Sequence, residues 1–242
     1  MNYKLVISYN GARFYGFAKQ LNLITVQSTI ENAIDELFGI KLTVFGSGRT
    51  DRYVHAIEQV ISFKSKNLNI DPKSMMNAIN SKLDNDIRVL DCIVVSESFH
   101  ARFSAKSKIY VYKINVDSQY NPIESEIIYQ YNKPVDLSQF ETYKNMIVGK
   151  HDFLSFSTSE VANTIREIYD FSYVQNDNIL TFEIHGNGFL RNMVRMIIGV
   201  YFDLIENKID LKTIKDYFDN PKKGKAIRKM NGCGLYLYKV NY

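Results

Sequence analysis

Residues 4–10 alternate apolar and polar side chains, the two-residue period of a strand with one buried face. Over 25–40 the period lengthens. Val26, Ile30, Ala33, Ile34, Leu37 and Phe38 recur at helical spacing, Ser28 with Glu31 reads as a capping box, and Gly39 is a stop signal. Short strands are expected at 42–45 and 59–63, on either side of the turn Gly46-Ser47-Gly48-Arg49-Thr50-Asp51. Asp71 as cap and Pro72 at the first helical position open a helix to Leu83, and a strand follows over 87–95. The second half repeats the theme. Residues 108–116 alternate as a long strand, and 137–148 are helical with Ser138 and Glu141 as a capping box. Segments 166–174 and 179–185 form a hairpin, 189–206 are the clearest helix, 211–218 a short one, and 234–241 a final strand.

Strands that do not alternate strictly with helices, together with a hairpin, argue for an α+β fold with a mostly antiparallel sheet. At roughly 150 residues per domain, 242 residues make one large domain or two small ones. The halves share a strand, helix and strand layout without a flexible linker. The expected division is 1–104, carrying the glycine-rich turn, and 105–242.

Composition changes this picture little. Hydrophobic residues at 45% and charged residues at 23% exclude a disordered or collagen-like chain. The two cysteines are too few for a disulfide scaffold and, like the four histidines, lack metal-ligand spacing. No basic-then-apolar leader opens the chain and no run approaches eighteen apolar residues, so a soluble cytoplasmic protein with no membrane partner is expected. The net charge of +4 is too small to name a partner. There are 17 Tyr and 15 Phe but no Trp. Tyrosine stacks and hydrogen-bonds at once, which suits RNA surfaces and protein cores alike.

The known cofactor signatures are missing. Gly186-Asn187-Gly188 lacks the third glycine of a dinucleotide fingerprint, and neither a phosphate loop nor a GxSxG or HExxH motif occurs. No cofactor and no metal are expected. Four segments carry candidate chemistry. In GSGRTDRYVHA (46–56), glycines permit sharp bends and close approach to a ligand around Arg49 and Asp51. A carboxylate in such a loop acts as a nucleophile when a nearby cation keeps it ionised; the plainer alternative is a turn in which Asp caps its own backbone. Along 98–116, Arg102, Lys106, Lys108 and Lys113 interleave with Tyr110 and Tyr112, which share a strand face, with no acid among them. Cations with interleaved aromatics suit a nucleic acid; a solvated face over two core tyrosines is the plainer reading. Arg191 and Arg195 lie one helical turn apart, and Arg195 sits among apolar neighbours where it needs an anion or a snorkelling stem. Residues 221–229 hold five cations and no acid. The His151-Asp152 pair and His185 read as structural.

These segments, in this order, resemble the tRNA pseudouridine synthase A family. Gly48-Arg49-Thr50-Asp51 with Val54-His55-Ala56 is similar to its GRTD-x-x-VHA loop, and 99–105 (FHARFSA) to another of its segments. Tyr15-Gly16-Phe17 with Gln20, the Lys-x-Tyr-x-Tyr of 108–112, GKHDFLSF at 149–156, the NGFL…MVR of 187–195 and GLYL at 234–237 complete the resemblance along the whole chain. It implies two related ferredoxin-like halves forming one extended, mostly antiparallel sheet with helices on one side and a basic cleft, and a homodimer. The implied reaction is isomerisation of uridine to pseudouridine at positions 38, 39 and/or 40 in the anticodon stem-loop of tRNA, without cofactor. It further implies Asp51 as nucleophile, attacking uracil C6 or ribose C1′, and Arg49 as the group that helps move the uridine out of its stack. Tyr110 would stack on the flipped base, Arg195 pair with the catalytic carboxylate, and Leu237 wall the pocket; Arg102, Lys106 and Lys108 would meet phosphates.

The sequence departs from the family pattern in places. A small pair such as Ala-Gly usually follows the aspartate, whereas Arg52-Tyr53 stand here. Glu58 replaces the glycine of a GQV strand, and Arg191-Asn192 stand where histidines are common. These changes bear on which uridines are targets. Competing readings are a tRNA-binding paralogue without activity, an unrelated RNA-binding module and a structural protein of the same fold; the retained Asp51 argues against the first and the basic segments against the last.

Overall fold

In the computed structural model, which describes residues 1–242, the opening alternation becomes strand β1 (Asn2–Tyr9). It pairs antiparallel on both flanks, with β3 (His55–Lys64) and β4 (Ile87–Val95). Leu5 lies in register with Ile61 and Cys92, so all three contribute to one buried row. A two-residue strand, β2 (Phe45–Gly46), adds to β3. Helices α1 (Val26–Phe38) and α2 (Pro72–Asn80) pack together, and α2 lies on β4. The cap of α1 differs from the expected one. Thr25, not Ser28, is the N-cap; its side chain accepts from Ser28 N while the Ser28 hydroxyl accepts from Thr25 N. Glu31 turns inward instead, accepting from Gln27 and from Val44 N. Gly39, at φ +65°, closes the helix as expected.

The second half begins with β5 (Ser107–Asn115), flanked by the antiparallel β9 (Ile179–Gly186). Strand β8 (Ile165–Asn176) pairs with β9 through the hairpin turn at Asp177-Asn178, and β7 (Gly149–Asp152) pairs with β8. A short β6 (Tyr129–Gln130) runs parallel to β5. Helices α3 (Phe140–Ile147), α4 (Met193–Ile205) and α5 (Leu211–Asp219) complete it. The Ser138–Glu141 box does not form. Ser138 N donates to the Asp136 carboxylate, and α3 starts two residues later without a side-chain cap. Helix α4 starts at Met193, because Asn192 adopts a left-handed φ of +65° that a helix cannot include.

The chain divides into two compact units, Met1–Lys106 with Tyr236–Tyr242, and Ser107–Leu235. The final strand β10 (Leu235–Asn241) therefore does not stay with the second half. It runs parallel to β3, Tyr236 beside His55 and Leu237 beside Ala56. Its partner choice is a long-range contact that local pattern does not encode. Both units are α+β with mostly antiparallel sheets, as expected.

The aromatic excess is largely core. Phe140, Tyr143, Phe171, Phe182 and Tyr201 are fully buried and touch ring to ring. Their hydroxyls are satisfied by backbone: Tyr143 donates to Ile197 O at 2.7 Å and Tyr201 to Asp136 O at 3.0 Å. At the end of α4, Arg228 bridges Asp203 (3.3 Å) and Glu206 (2.8 Å), and Tyr131 donates to Glu206 at 2.6 Å. Burial alone would raise the Glu206 carboxyl, but hydrogen bonds from Arg228, Lys208 and Tyr131 outweigh it and hold it at about 2. A carboxyl depressed on folding contributes stability above its ordinary value of 4.5, and loses that contribution as pH falls toward 2. Arg228→Gln is accordingly expected to lower neutral-pH stability by about 1–2 kcal/mol, allowing for partial exposure, and to flatten the acid limb of a urea-midpoint titration between those pH values. An acid limb identical to wild type would contradict it.

Candidate active site

The glycine-rich turn is fixed from several sides within the first unit. Ser47 Oγ bonds Gln59 Oε1 at 2.5 Å, and Gln59 Nε2 returns a bond to Gly48 O at 2.9 Å. The buried Tyr9 hydroxyl meets Thr50 Oγ1 at 2.8 Å; burial pushes its pKa up to about 12, so it remains a neutral partner. Phe17 N donates to Thr50 O at 3.0 Å. Asp51 then opens a tight turn that closes with Val54 N donating to Asp51 O at 3.2 Å. His55 ends it. Its Nδ1 accepts from Gly11 N at 3.0 Å, and its ring stacks on Tyr236 with centroids 4.7 Å apart.

Two glycines make this approach possible. A Cβ at Gly11 would lie 2.1 Å from Val54 O, and one at Gly16, which has φ +88°, 2.8 Å from Thr50 O. Both contacts are to backbone, which does not yield as a side-chain tip does. The result is a half-buried Asp51 on a turn whose backbone is pinned on both sides, with Arg49 exposed beside it. A rigid backbone under a carboxylate meets part of the positional demand on a nucleophile.

Of the other residues singled out in the first unit, Leu237 is fully buried on β10, level with Ala56 just after the turn. Arg102 and Lys106 are exposed. Arg102 sits in a turn anchored by Ala101 N to Ser62 Oγ (3.0 Å) and by the Tyr242 hydroxyl to Ala101 O (2.7 Å). Ser62 is seven residues along β3 from His55, about 23 Å at the strand rise of roughly 3.3 Å per residue. Arg102 thus stands apart from the Asp51 turn and could serve only a remote part of a long ligand.

The second unit carries Lys108, Tyr110 and Arg195. Tyr110, on β5 opposite Ile184, is 8% exposed and meets Phe189 edge-on at 5.0 Å. Tyr112 shares its face but belongs to the core, donating to Asn231 O at 2.8 Å. Phe189 opens the turn that leads into α4, and Arg195 lies in that helix's first turn. Arg195 Nε donates to Met230 O (2.6 Å) and Nη1 to Asn192 Oδ1 (3.3 Å), while Asn192 is held by Thr158. The guanidinium is thus oriented by the left-handed residue that delays the helix. Phe189 and Asn192 enter the sequence reading only as motif positions on a helix, with no role assigned to either.

The basic run 221–229 is less open than it reads. Lys223 pairs with Glu160 at 2.8 Å, Lys225 with Asp216 at 2.6 Å, and Arg228 with Asp203 and Glu206. The acids lie outside the run, Glu160 far from it and Asp216 just before it, leaving Lys222 and Lys229 as its exposed cations without such partners. His151 bonds Val148 O and packs on Phe218, Asp152 accepts from Leu154 N, and His185 bonds Ser107, so these are structural as expected. No helix is long and apolar enough to cross a membrane.

The first unit thus carries a carboxylate on a braced glycine turn, and the second an oriented arginine and a tyrosine that meets Phe189. Comparison with known proteins gives the class. A family model described as tRNA pseudouridine synthase matches residues 5–104 and 145–242. Proteins named tRNA pseudouridine synthase A are 50% identical in Malacoplasma penetrans, over the full length of both chains, and 42% in Ureaplasma urealyticum, again over both full chains. One from Clostridium acetobutylicum is 37% identical over all of this chain and 99% of its own. The chain belongs to the tRNA pseudouridine synthase family. Membership makes it an isomerase acting on tRNA.

Proposed function

We propose that this isomerase converts uridine to pseudouridine at positions 38, 39 and/or 40 of the tRNA anticodon stem-loop, with Asp51 as nucleophile. The observation that carries the reading is the construction of the Asp51 turn, whose backbone is braced by Gly11, Gly16, Tyr9 and His55. Its attack, at uracil C6 or ribose C1′, assists rupture of the C1′–N1 bond. The uracil turns, C1′ bonds to C5, the bond from carbon to Asp51 breaks with the carboxylate as leaving group, the C5 proton leaves and N1 takes a proton. Atoms and electrons balance within substrate and water, so the chemistry calls for no redox cofactor.

The surrounding residues take roles that fit this route. Arg49, exposed beside the turn, helps draw the uridine from its stack, an extrusion costing a few kcal/mol. Tyr110 offers a ring to the flipped base, Arg195 a positioned cation to the carboxylate, and Leu237 an apolar wall. Lys108, Lys106 and the remote Arg102 meet phosphates of a substrate much longer than one nucleotide. The working form is a homodimer in the cytoplasm, where tRNA is matured.

The test is tritium release from an anticodon stem-loop tRNA transcript labelled at uridine C5. Release with a carbodiimide-dependent primer-extension stop at 38, 39 or 40 is expected. Binding without release would leave only a tRNA-binding protein, and a stop elsewhere would move the target.

A further inference from the structure

Arg52 and Tyr53 follow Asp51 directly, in a turn of unusual backbone. Tyr53 has φ +68°, a left-handed conformation that glycine adopts freely and bulky residues rarely do. Tyrosine at this position is therefore disfavoured by the backbone, and such outliers concentrate where a side chain is needed for function.

What the strained residue gains is contact with its neighbour. The Arg52 guanidinium lies 4.3 Å from the Tyr15 ring centroid and 4.6 Å from that of Tyr53. Gly16 brings Tyr15 there, because only a residue without a Cβ lets segment 15–17 lie against the backbone of 50–52. All three side chains are exposed, Tyr15 at 40% and Tyr53 at 37%. Arg52 forms no ion pair or hydrogen bond through its guanidinium. Stacking uses the faces of that plane and fixes its direction, while the N–H edge stays open in the fork geometry that matches a phosphate.

We propose that Arg52, oriented by the rings of Tyr15 and Tyr53, grips a backbone phosphate of the tRNA next to the target uridine. The proposal rests on the reading that Asp51 attacks a tRNA uridine. A nucleotide whose base reaches Asp51 carries its phosphates past the adjoining residue, and Arg52 is that residue. It would be a positioning contact that holds the substrate and takes no part in bond exchange.

The experiment compares Arg52→Gln, Tyr53→Gly and the double variant Arg52→Ala/Tyr53→Gly. Affinity for an anticodon stem-loop tRNA transcript is measured from low to high salt, beside single-turnover rate at saturating tRNA and Tm. Arg52→Gln and the double variant should bind about tenfold more weakly, with a log–log salt slope shallower by about one and an unchanged single-turnover rate. Tyr53→Gly should weaken binding about threefold to tenfold while its Tm holds or rises, a combination that a merely structural tyrosine does not give. Unchanged affinity in Arg52→Gln, weaker binding with an unchanged salt slope, or a lowered Tm in Tyr53→Gly would each overturn the assignment. Wild-type tritium release separates the two readings. Its absence sinks the role of Asp51, whereas release with unaltered Arg52→Gln binding sinks this proposal alone.

Discussion

Asp51→Asn is expected to fold, to bind tRNA as wild type does, and to release no tritium from C5-labelled uridine. The substitution is nearly isosteric, and the bonds that shape the turn survive it. Val54 N still donates to the residue-51 carbonyl, Tyr9 still holds Thr50, and His55 still accepts from Gly11. What the proposed role would lose is the attacking carboxylate oxygen, since a carboxamide forms no ester-like adduct. Removal of a nucleophile elsewhere costs on the order of 10⁴- to 10⁶-fold, so turnover should fall below detection. Tm and tRNA affinity measured on the same preparation tell a chemical defect from a folding one. Tritium release above background would remove Asp51 from the mechanism.

Tyr110 carries the second large effect, and its two substitutions separate ring from hydroxyl. Tyr110→Phe keeps the edge-on contact with Phe189 and should hold its Tm and tRNA affinity. If the hydroxyl handles the C5 proton, single turnover should slow by about 10²-fold or more, within the range for a positioned proton carrier. Tyr110→Ala also removes the stacking surface, worth roughly 1–3 kcal/mol per base, and should weaken binding about tenfold or more. Because the side chain is mostly buried, Ala will lower Tm as well, by the mechanism of large-to-small core changes. A wild-type rate in Tyr110→Phe would leave the ring as its only contribution, and a wild-type rate in Tyr110→Ala would take it out of the site.

Much of this protein is readable without coordinates because its long elements carry strong periods. Strand β4 falls at the expected residues, and β5, β8, β9 and α5 fall within two. The failures have particular causes. Phe189 and Leu190 continue the helical spacing of α4 yet lie in a turn, because periodicity records which residues are buried and not the φ of Asn192. At α1 and α3 several residues could serve as cap, and tertiary context chose Thr25 in one and none in the other. Strands β6 and β7 are too short to show a period. For the site, glycine content pointed to the turn, but its braces were invisible: Tyr9, Gly11, His55 and Tyr236 meet it only through the sheet. The basic run 221–229 misled for a similar reason, since its acidic partners lie outside it and are brought to it by the fold.

Strand β10 bears on how the enzyme is made. The Asp51 turn leaves the ribosome early, but Tyr236, whose ring lies against His55 at the end of that turn, is translated only after the entire second unit. Until then β3 lacks its parallel neighbour, and the last face of the turn stands open. Closing it requires a contact across most of the chain, the kind that forms slowly in folding. A nascent chain, or one stopped by a premature codon, therefore holds Asp51 without the Tyr236 contact at the end of its turn. The setting of the Asp51 turn is therefore complete only once the last strand has been made.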